Sequence, residues 1–256
     1  MDGVLYHGET VLRGAVEFVA RIADRPHVFV TNNPVLPPTQ VADRLERLGF
    51  RRPAERLIVT SAEATAAWLA REKPGFRYFA VGAEGLGDAL RTCGTEDPEA
   101  ADFVVTGEGP GLDFDSLTTG INLILRKGAR LVATNPDNTV DATVDGKHVV
   151  LPGGGALVAP FAAATGAEPV FIGKPAPLLY EMAVTRLGVR AADCIMIGDR
   201  PDTDIAGAVR AGMRTALVRT GRFAPDAPYP ANVPRPTWDV MSLEELSHIW
   251  ASQGLV

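Results

Sequence analysis

Short apolar runs alternate with amphipathic stretches along the whole chain. Residues 27–30, 57–60, 78–82, 103–107, 131–135, 170–173, 194–198 and 215–218 read as buried strands. Several lack polar alternation, which suits parallel strands covered on both faces. Between them, Leu12, Ala15, Val19 and Ile22 recur at helical spacing. Val41, Leu45 and Leu48 do the same, with Thr39 as the expected N-cap and Gly49 just past the end. Ile205, Ala208 and Val209 form a third stripe closed by Gly212. Ser242 and Glu245 have the spacing of a capping box opening a last short helix. Strand–helix alternation of this kind predicts an α/β fold with a doubly wound parallel sheet. Two stretches break the rhythm. Residues 135–155, ending in Pro152-Gly153-Gly154-Gly155, are expected as a loop that closes an inserted domain. The proline-rich 223–236 is expected as a long surface connection before a terminal strand and helix.

Composition narrows the class. The 256 residues are 46% apolar and 22% charged, with a net charge of −6. That is an ordinary globular make-up, sized for one large domain or two modest ones. Mild acidity argues against a nucleic-acid partner and against electrostatic membrane anchoring. No run of about 18 apolar residues marks a membrane helix, and the start MDGVLYHGE lacks the pattern of a signal peptide. Cys93 and Cys194 are too few for a disulfide framework or a zinc cluster. The four histidines show no metal-ligand spacing. A soluble cytoplasmic protein is expected.

In open α/β sheets, ligands bind beyond the carboxyl ends of the strands, so polar residues directly after a strand are the candidates. Thr31-Asn32-Asn33 follows one strand, Lys174 another, and Asp199 a third, with Asp202 and Asp204 close behind. Asp2-Gly3 opens the chain. This inventory suits phosphoryl transfer: carboxylates for a hard cation such as Mg²⁺, hydroxyl and amide donors for phosphoryl oxygens, and an ammonium to offset charge. Each piece alone has a plainer reading. Asp2-Gly3 is a turn signal, Asp199–Asp204 suits a helix N-terminus, and Gly153–Gly155 reads as a flexible connection because no G-x-x-x-x-G-K-[ST] accompanies it.

Taken in order, the stretches Asp2-Gly-Val-Leu-Tyr, Thr31-Asn-Asn-Pro, Val59-Thr-Ser-Ala, Ala133-Thr-Asn-Pro-Asp, Pro152-Gly-Gly-Gly-Ala-Leu, Gly173-Lys-Pro-Ala-Pro and Gly198-Asp-Arg-Pro-Asp-Thr-Asp-Ile resemble the haloacid dehalogenase superfamily. More narrowly, they resemble its NagD-type, p-nitrophenylphosphatase-like branch. The resemblance implies a Rossmann-like core from 1–61 and 171–256, with an α/β cap inserted at 62–170. It implies a Mg²⁺-dependent phosphatase of small phosphorylated metabolites, often a homodimer through the cap. By the same resemblance, Asp2 serves as general acid and base and lends its backbone carbonyl to the metal. Thr31 and Asn32 hold phosphoryl oxygens, Lys174 offsets charge, and Asp199 and Asp204 hold Mg²⁺. Asn135 and Asp137 are the expected cap-side substrate contacts.

One departure stands out. The family motif is Asp-x-Asp-Gly at the end of a central strand, and this chain opens at the x. The first Asp is the family's nucleophile, which forms an aspartyl-phosphate. A sheet without that strand leaves two ladders of backbone groups unpaired, at about 1–3 kcal/mol for each buried unsatisfied group. The expectation is a start site placed too late, with an apolar strand ending in Asp upstream. The alternatives are a strand supplied by another segment or a partner chain, or a catalytically inactive protein that binds phosphometabolites. A nucleotide-dependent oxidoreductase is disfavoured, because no G-x-G-x-x-G follows a first strand.

Overall fold

The computed structural model describes residues 1–144 and 146–255. The chain divides into two compact units. Met1–Val30, Ala42–Ile58 and Tyr180–Val256 form the first; Thr31–Val41 and Val59–Leu179 form the second. The first begins with a small antiparallel hairpin, β1 (Tyr6–His7) and β2 (Thr10–Val11), followed by α1 (Ala15–Arg21). β3 (Phe29–Thr31), α2 (Pro38–Arg47) and β4 (Ile58–Thr60) each run across a boundary between the units, and β3 pairs with β4.

The second unit continues with α3 (Ser61–Glu72), β5 (Arg77–Val81), α4 (Glu84–Arg91), β6 (Thr95–Glu96) and β7 (Phe103–Thr106). Then come α5 (Phe114–Lys127), β8 (Arg130–Ala133), the hairpin β9 (Thr139–Val144) and β10 (Lys147–Pro152), α6 (Gly154–Thr165) and β11 (Val170–Phe171). Five strands form a fully parallel sheet in the order β11-β8-β7-β5-β6. All four residues of β7 are buried, so an uninterrupted apolar run is what this position demands. Val104, Leu131, Ala133, Leu123, Val158 and Phe161 pack as one core between the sheet and the pair α5 and α6. Helix ends are set locally. Thr60 and Glu63 form a capping box on α3, and Asp113 and Ser116 form one on α5.

The chain returns to the first unit through α7 (Leu178–Leu187), then β12 (Ile195–Gly198), α8 (Ala206–Arg210), β13 (Arg214–Val218), β14 (Trp238–Val240) and α9 (Leu243–Ser252). β12, β13 and β14 form a parallel three-stranded sheet. The connection at 223–236 is as expected irregular. Arg219 holds it, donating to the carbonyls of Pro225 at 2.8 Å and Ala227 at 2.9 Å while pairing with Asp239 at 2.7 Å.

Four expectations need correction. Residues 135–155 are not a loop: β9 and β10 pair from Thr139–Pro152 through to Val144–Lys147. Their β-branched content favours the paired strands, and Gly146 sits at φ 74°. Gly153–Gly155 is not a flexible connection but the start of α6. A Cβ on Gly153 would lie 2.1 Å from the carbonyl oxygen of Asp137, so the two backbones meet where only glycine fits. Thr39 lies inside α2, which starts at Pro38, a residue suited to a first turn because its missing N–H would be unbonded there anyway. Ser242 does cap α9, but Glu245 reaches past it to the N–H of Met241 at 2.7 Å, so the reciprocal box is not closed.

A cavity of about 420 Å³ lies within the first unit. Val28, Phe29 and Val30 line one wall; Ile195, Met196 and Ile197 line another. Consecutive residues of a strand reach one space only where the strand presents its edge rather than a face. β3 pairs only with β4, and β12 only with β13, among the described strands. Met1, Phe18 and Trp250 are among the other lining residues, and the Trp250 indole N–H is buried without a partner.

The packing of α5 on α6 is directly testable. A Cβ on Gly120 would lie 2.3 Å from the fully buried Phe161 ring. Gly120→Ala should lower unfolding stability by about 1–3 kcal/mol through overpacking, against a helix-propensity gain of about 1 kcal/mol. Adding Phe161→Leu should recover part of the loss in urea titrations; additive losses would refute the contact.

Candidate active site

In the first unit, the carboxyl end of β12 delivers Asp199 into a tight backbone setting. Asp204 Oδ2 accepts the N–H groups of Asp199 and Arg200, each at 3.1 Å. The turn between them, Pro201–Ile205, is an irregular wide helical turn that brings the Asp204 carboxylate back under its own start. Asp199 Oδ2 accepts the N–H of Arg222 at 3.1 Å. Both carboxylates are buried. Gly3 and Gly221 press against Asp199: added Cβ atoms would lie 2.5 and 2.0 Å from its Oδ2. Asp202, also named by the sequence, turns away and pairs with Arg200 at 2.8 Å.

Asp2 lies in the same unit, next to Gly3. Its Oδ1 is 3.1 Å from His7 Nδ1, and His7 Nε2 is 2.8 Å from the carbonyl oxygen of Thr220. The two ring nitrogens thus bridge the Asp2 carboxylate and the Thr220 backbone. Thr220 also donates its hydroxyl to the Gly3 carbonyl at 2.7 Å, fastening the turn that bears Asp2. Below this loop, burial and the Asp204 charge push the Tyr180 phenol far up, so it stays a donor, to the carbonyl of Thr203 at 2.6 Å.

In the second unit, the ends of β3, β7, β8 and β11 supply a different set. Asn32 Oδ1 accepts the Lys174 N–H at 2.7 Å; its Nδ2 donates to the Lys174 carbonyl and to Asp137 Oδ2, each at 3.0 Å. Ser61 donates to the Asn32 carbonyl, which also accepts from Asn135 Nδ2 at 2.9 Å. Thr31 Oγ1 accepts the Asn33 N–H at 3.2 Å, leaving its own proton to donate elsewhere. Lys174 and Asp137 are both buried, and the Lys174–Pro175 peptide is cis. This unit thus gathers Thr31, Asn32, Asn135, Asp137 and Lys174; the first gathers Asp2, Asp199 and Asp204.

The sequence reading missed one residue that its own rule would have found, Glu108, and gave Asn33 no role of its own. Glu108 follows β7 and Asn33 follows Asn32. Glu108 is 3% exposed; its Oε1 accepts from Asn135 Nδ2 at 2.9 Å and its Oε2 from Asn33 Nδ2 at 3.3 Å. Burial, with the Asp137 charge adding to it, pushes its carboxyl up to about 7 against the pull of the Asn135 hydrogen bond.

Comparison with known proteins now bears on these two sets. Residues 1–96 match the family model described as haloacid dehalogenase-like hydrolase, and residues 171–246 match a HAD-hydrolase-like model. A dihydroxyacetone phosphatase of Corynebacterium glutamicum is 39% identical over 253 residues, covering 98% of this chain and 90% of that protein. The chain belongs to the haloacid dehalogenase-like hydrolases. The NagD structure from E. coli K-12 superposes with a TM-score of 0.83 at 30% identity, covering 96% of this chain and 95% of NagD. A Mycobacterium tuberculosis glycerol phosphate phosphatase, solved with magnesium, has a TM-score of 0.86 at 35% identity, covering 96% of this chain and 74% of that one. The haloacid dehalogenase-like chain is thus of the NagD type, a Rossmann-like core with an α/β cap, and a phosphatase.

The donor set fits the metal this family uses. Asp199 and Asp204 offer only hard oxygens, which suit Mg²⁺ rather than a thiolate- or imidazole-seeking ion. Among the described residues no three His, Cys, Asp or Glu side chains cluster to hold a metal. Asp199 and Asp204 would hold the ion, which would supply positive charge to an anionic ligand beside them.

Glu108 gives a stability prediction with a definite sign. Its folded-state pKa is raised from 4.5 to about 7, so the folded form binds the extra proton. The contribution is fully present below pH 4.5 and is lost as pH rises through 7, by at most about 3 kcal/mol. Urea titrations from pH 5 to 8 should show this slope in the wild type and not in Glu108→Gln; parallel slopes would refute it.

Proposed function

We propose that the protein is a Mg²⁺-dependent hydrolase of small phosphorylated metabolites that works through an aspartyl-phosphate. The observation that carries this reading is the buried Asp199–Asp204 pair at the carboxyl end of β12, an all-oxygen donor set fixed by backbone N–H groups. In this reading Asp199 and Asp204 hold Mg²⁺, joined by the backbone carbonyl of Asp2. The bound ion would supply charge stabilisation to the phosphoryl oxygens. Thr31 donates its hydroxyl to a phosphoryl oxygen, Asn32 orders the loop that presents it, and Lys174 offsets the negative charge. Asp2 gives a proton to the leaving alcohol and then takes one from water; His7 Nδ1, 3.1 Å from its Oδ1, orients the carboxylate. We assign 62–170 to the cap, with Asn135 and Asp137 as substrate-side residues.

The nucleophile of this reading lies on a strand that fills the cavity between β3 and β12. The cavity has room for about fourteen waters at ~30 Å³ each, beside apolar walls and two strand edges. An extended apolar segment would cover those walls and pair both edges. Met1 is among the residues that line this cavity. Free Cys93 and Cys194 suit the reducing cytosol. The exposed Val144, Val150 and Leu151 of the β9–β10 hairpin support a homodimer through the cap; a one-chain mass by sedimentation would remove that part.

Names of relatives point first to three-carbon phosphate esters as substrates. The test is p-nitrophenyl phosphate and glycerol phosphate hydrolysis by the chain as given and by a form extended upstream. The extended form should turn over with Mg²⁺ and stop with EDTA. Equal rates with and without EDTA would refute the metal. Phosphate-ester binding without turnover in both forms would favour an inactive, ligand-binding protein instead. In the extended form, Lys174→Ala should lower turnover by about 100-fold or more, and Asp199→Asn should raise the Mg²⁺ requirement strongly. Wild-type behaviour in either would remove that residue from the site.

A further inference from the structure

Glu108 is a buried acid outside the phosphatase machinery described above. Its two oxygens face two side-chain amides that cannot turn freely. Asn135 is pinned because its Oδ1 accepts the Asp137 N–H at 3.0 Å while its Nδ2 also donates to the Asn32 carbonyl. Asn33 is pinned because its Oδ1 accepts the Val35 N–H at 2.8 Å. Flipping either amide would set oxygen against oxygen. Both therefore present N–H groups, and only an ionised carboxylate accepts fully from the two at once. The clamp closes around the Asn32 backbone: Asn33 follows it in the chain, and Asn135 donates to its carbonyl.

We propose that Glu108 is the positioning residue of the phosphate-binding loop, holding Asn32 and Thr31 in register by clamping Asn33 and Asn135. This rests on the reading of Thr31 and Asn32 as phosphoryl-oxygen holders. Glu108 does not touch substrate; it acts through the two amides. The groups facing it are few. The loop after β8 brings Asp137, whose charge opposes ionisation; the loop after β3 brings only amides; the turn before α4 brings the Ala83 N–H, which donates to the Glu108 backbone carbonyl at 2.9 Å. With its carboxyl at about 7, the clamp is set near neutral pH and loosens on acidification, when one oxygen gains a proton and becomes a donor.

The test uses sulfate, a phosphate mimic that does not titrate in this range, with Mg²⁺ present, followed by ¹H–¹⁵N spectra of the full chain. In the wild type the side-chain amide signals of Asn33 and Asn135 should shift together with a midpoint near 7, and sulfate should bind more weakly below it. Glu108→Gln keeps the shape but turns one acceptor into a donor. It should abolish the shared midpoint and weaken sulfate at pH 8 by roughly five- to tenfold. Tighter binding in Glu108→Gln would mean the carboxylate acts only by repelling anions, and would overturn the proposal. If that variant does not fold, the wild type alone decides: amides without a common midpoint between pH 6 and 8 refute the clamp. Lys174→Ala separates the two readings. If it leaves sulfate binding unchanged, the phosphate-site reading has failed; if it abolishes binding while Glu108→Gln does not alter it, only the clamp has.

Discussion

The carboxamide of Asn32 is the joint on which the polar cluster of the second unit depends. The ends of neighbouring parallel strands leave the sheet as separate loops, so their backbones no longer satisfy one another. An amide side chain carries an acceptor and donors at a fixed spacing and can stand in for a missing length of strand. Asn32 does this for Lys174, meeting both its N–H and its carbonyl. An aspartate there would lose the donors, and a leucine would orphan both backbone groups at about 1–3 kcal/mol each. The approach also requires Gly173, since a Cβ on it would lie 2.9 Å from Asn32 Oδ1 and 2.6 Å from the Thr134 carbonyl. Thr31-Asn32 and Gly173-Lys174, remote in sequence, are thus one mechanical element.

That coupling explains what could be read in the sequence. The strands β7 and β8 were legible because β7 is buried throughout and β8 from Leu131 onward, and β5 because Tyr78–Val81 is apolar, so the chain spells them as short apolar runs. β9 and β10 were not, because they form a two-stranded ribbon that is largely exposed and carries mixed residues. The position of Thr31, Lys174 and Asp199 at strand ends was legible from the same runs. The partners were not: nothing in the spacing of Asn32 and Asp137 says that they meet across 105 positions. Strand order, β11-β8-β7-β5-β6, was equally hidden, since it depends on which helices cover which face. Glu108 was within reach of the strand-end rule, yet an acid beside glycines reads as solvated loop until its burial is seen.

The first unit shows the same dependence on pairing from the other side. Its strands β12, β13 and β14 form a group of three, and residues 28–30 and Ile195–Ile197 border a shared, mostly apolar cavity. Sheets do not end in such a way at little cost, because an edge that faces apolar side chains has no water to satisfy it. The loop of Asp199 lies at the carboxyl end of β12, so the Asp199–Asp204 arrangement hangs from the end of that strand.

Glu108 shows that stability does not account for the polar cluster. Burying its carboxylate is costly, and its raised pKa registers that cost. A leucine of similar size would fill the space without charge, and replacing buried polar groups by apolar ones of like shape is often neutral or stabilising when all partners are replaced together. Here the partners cannot be replaced together. Asn135 is committed to Asn32 and Asp137, and Asn33 to Val35. With those amides fixed by the loop they shape, their remaining N–H groups need an acceptor, and a carboxylate supplies two at once. The acid is thus retained by the geometry of the loop rather than by the packing of the fold.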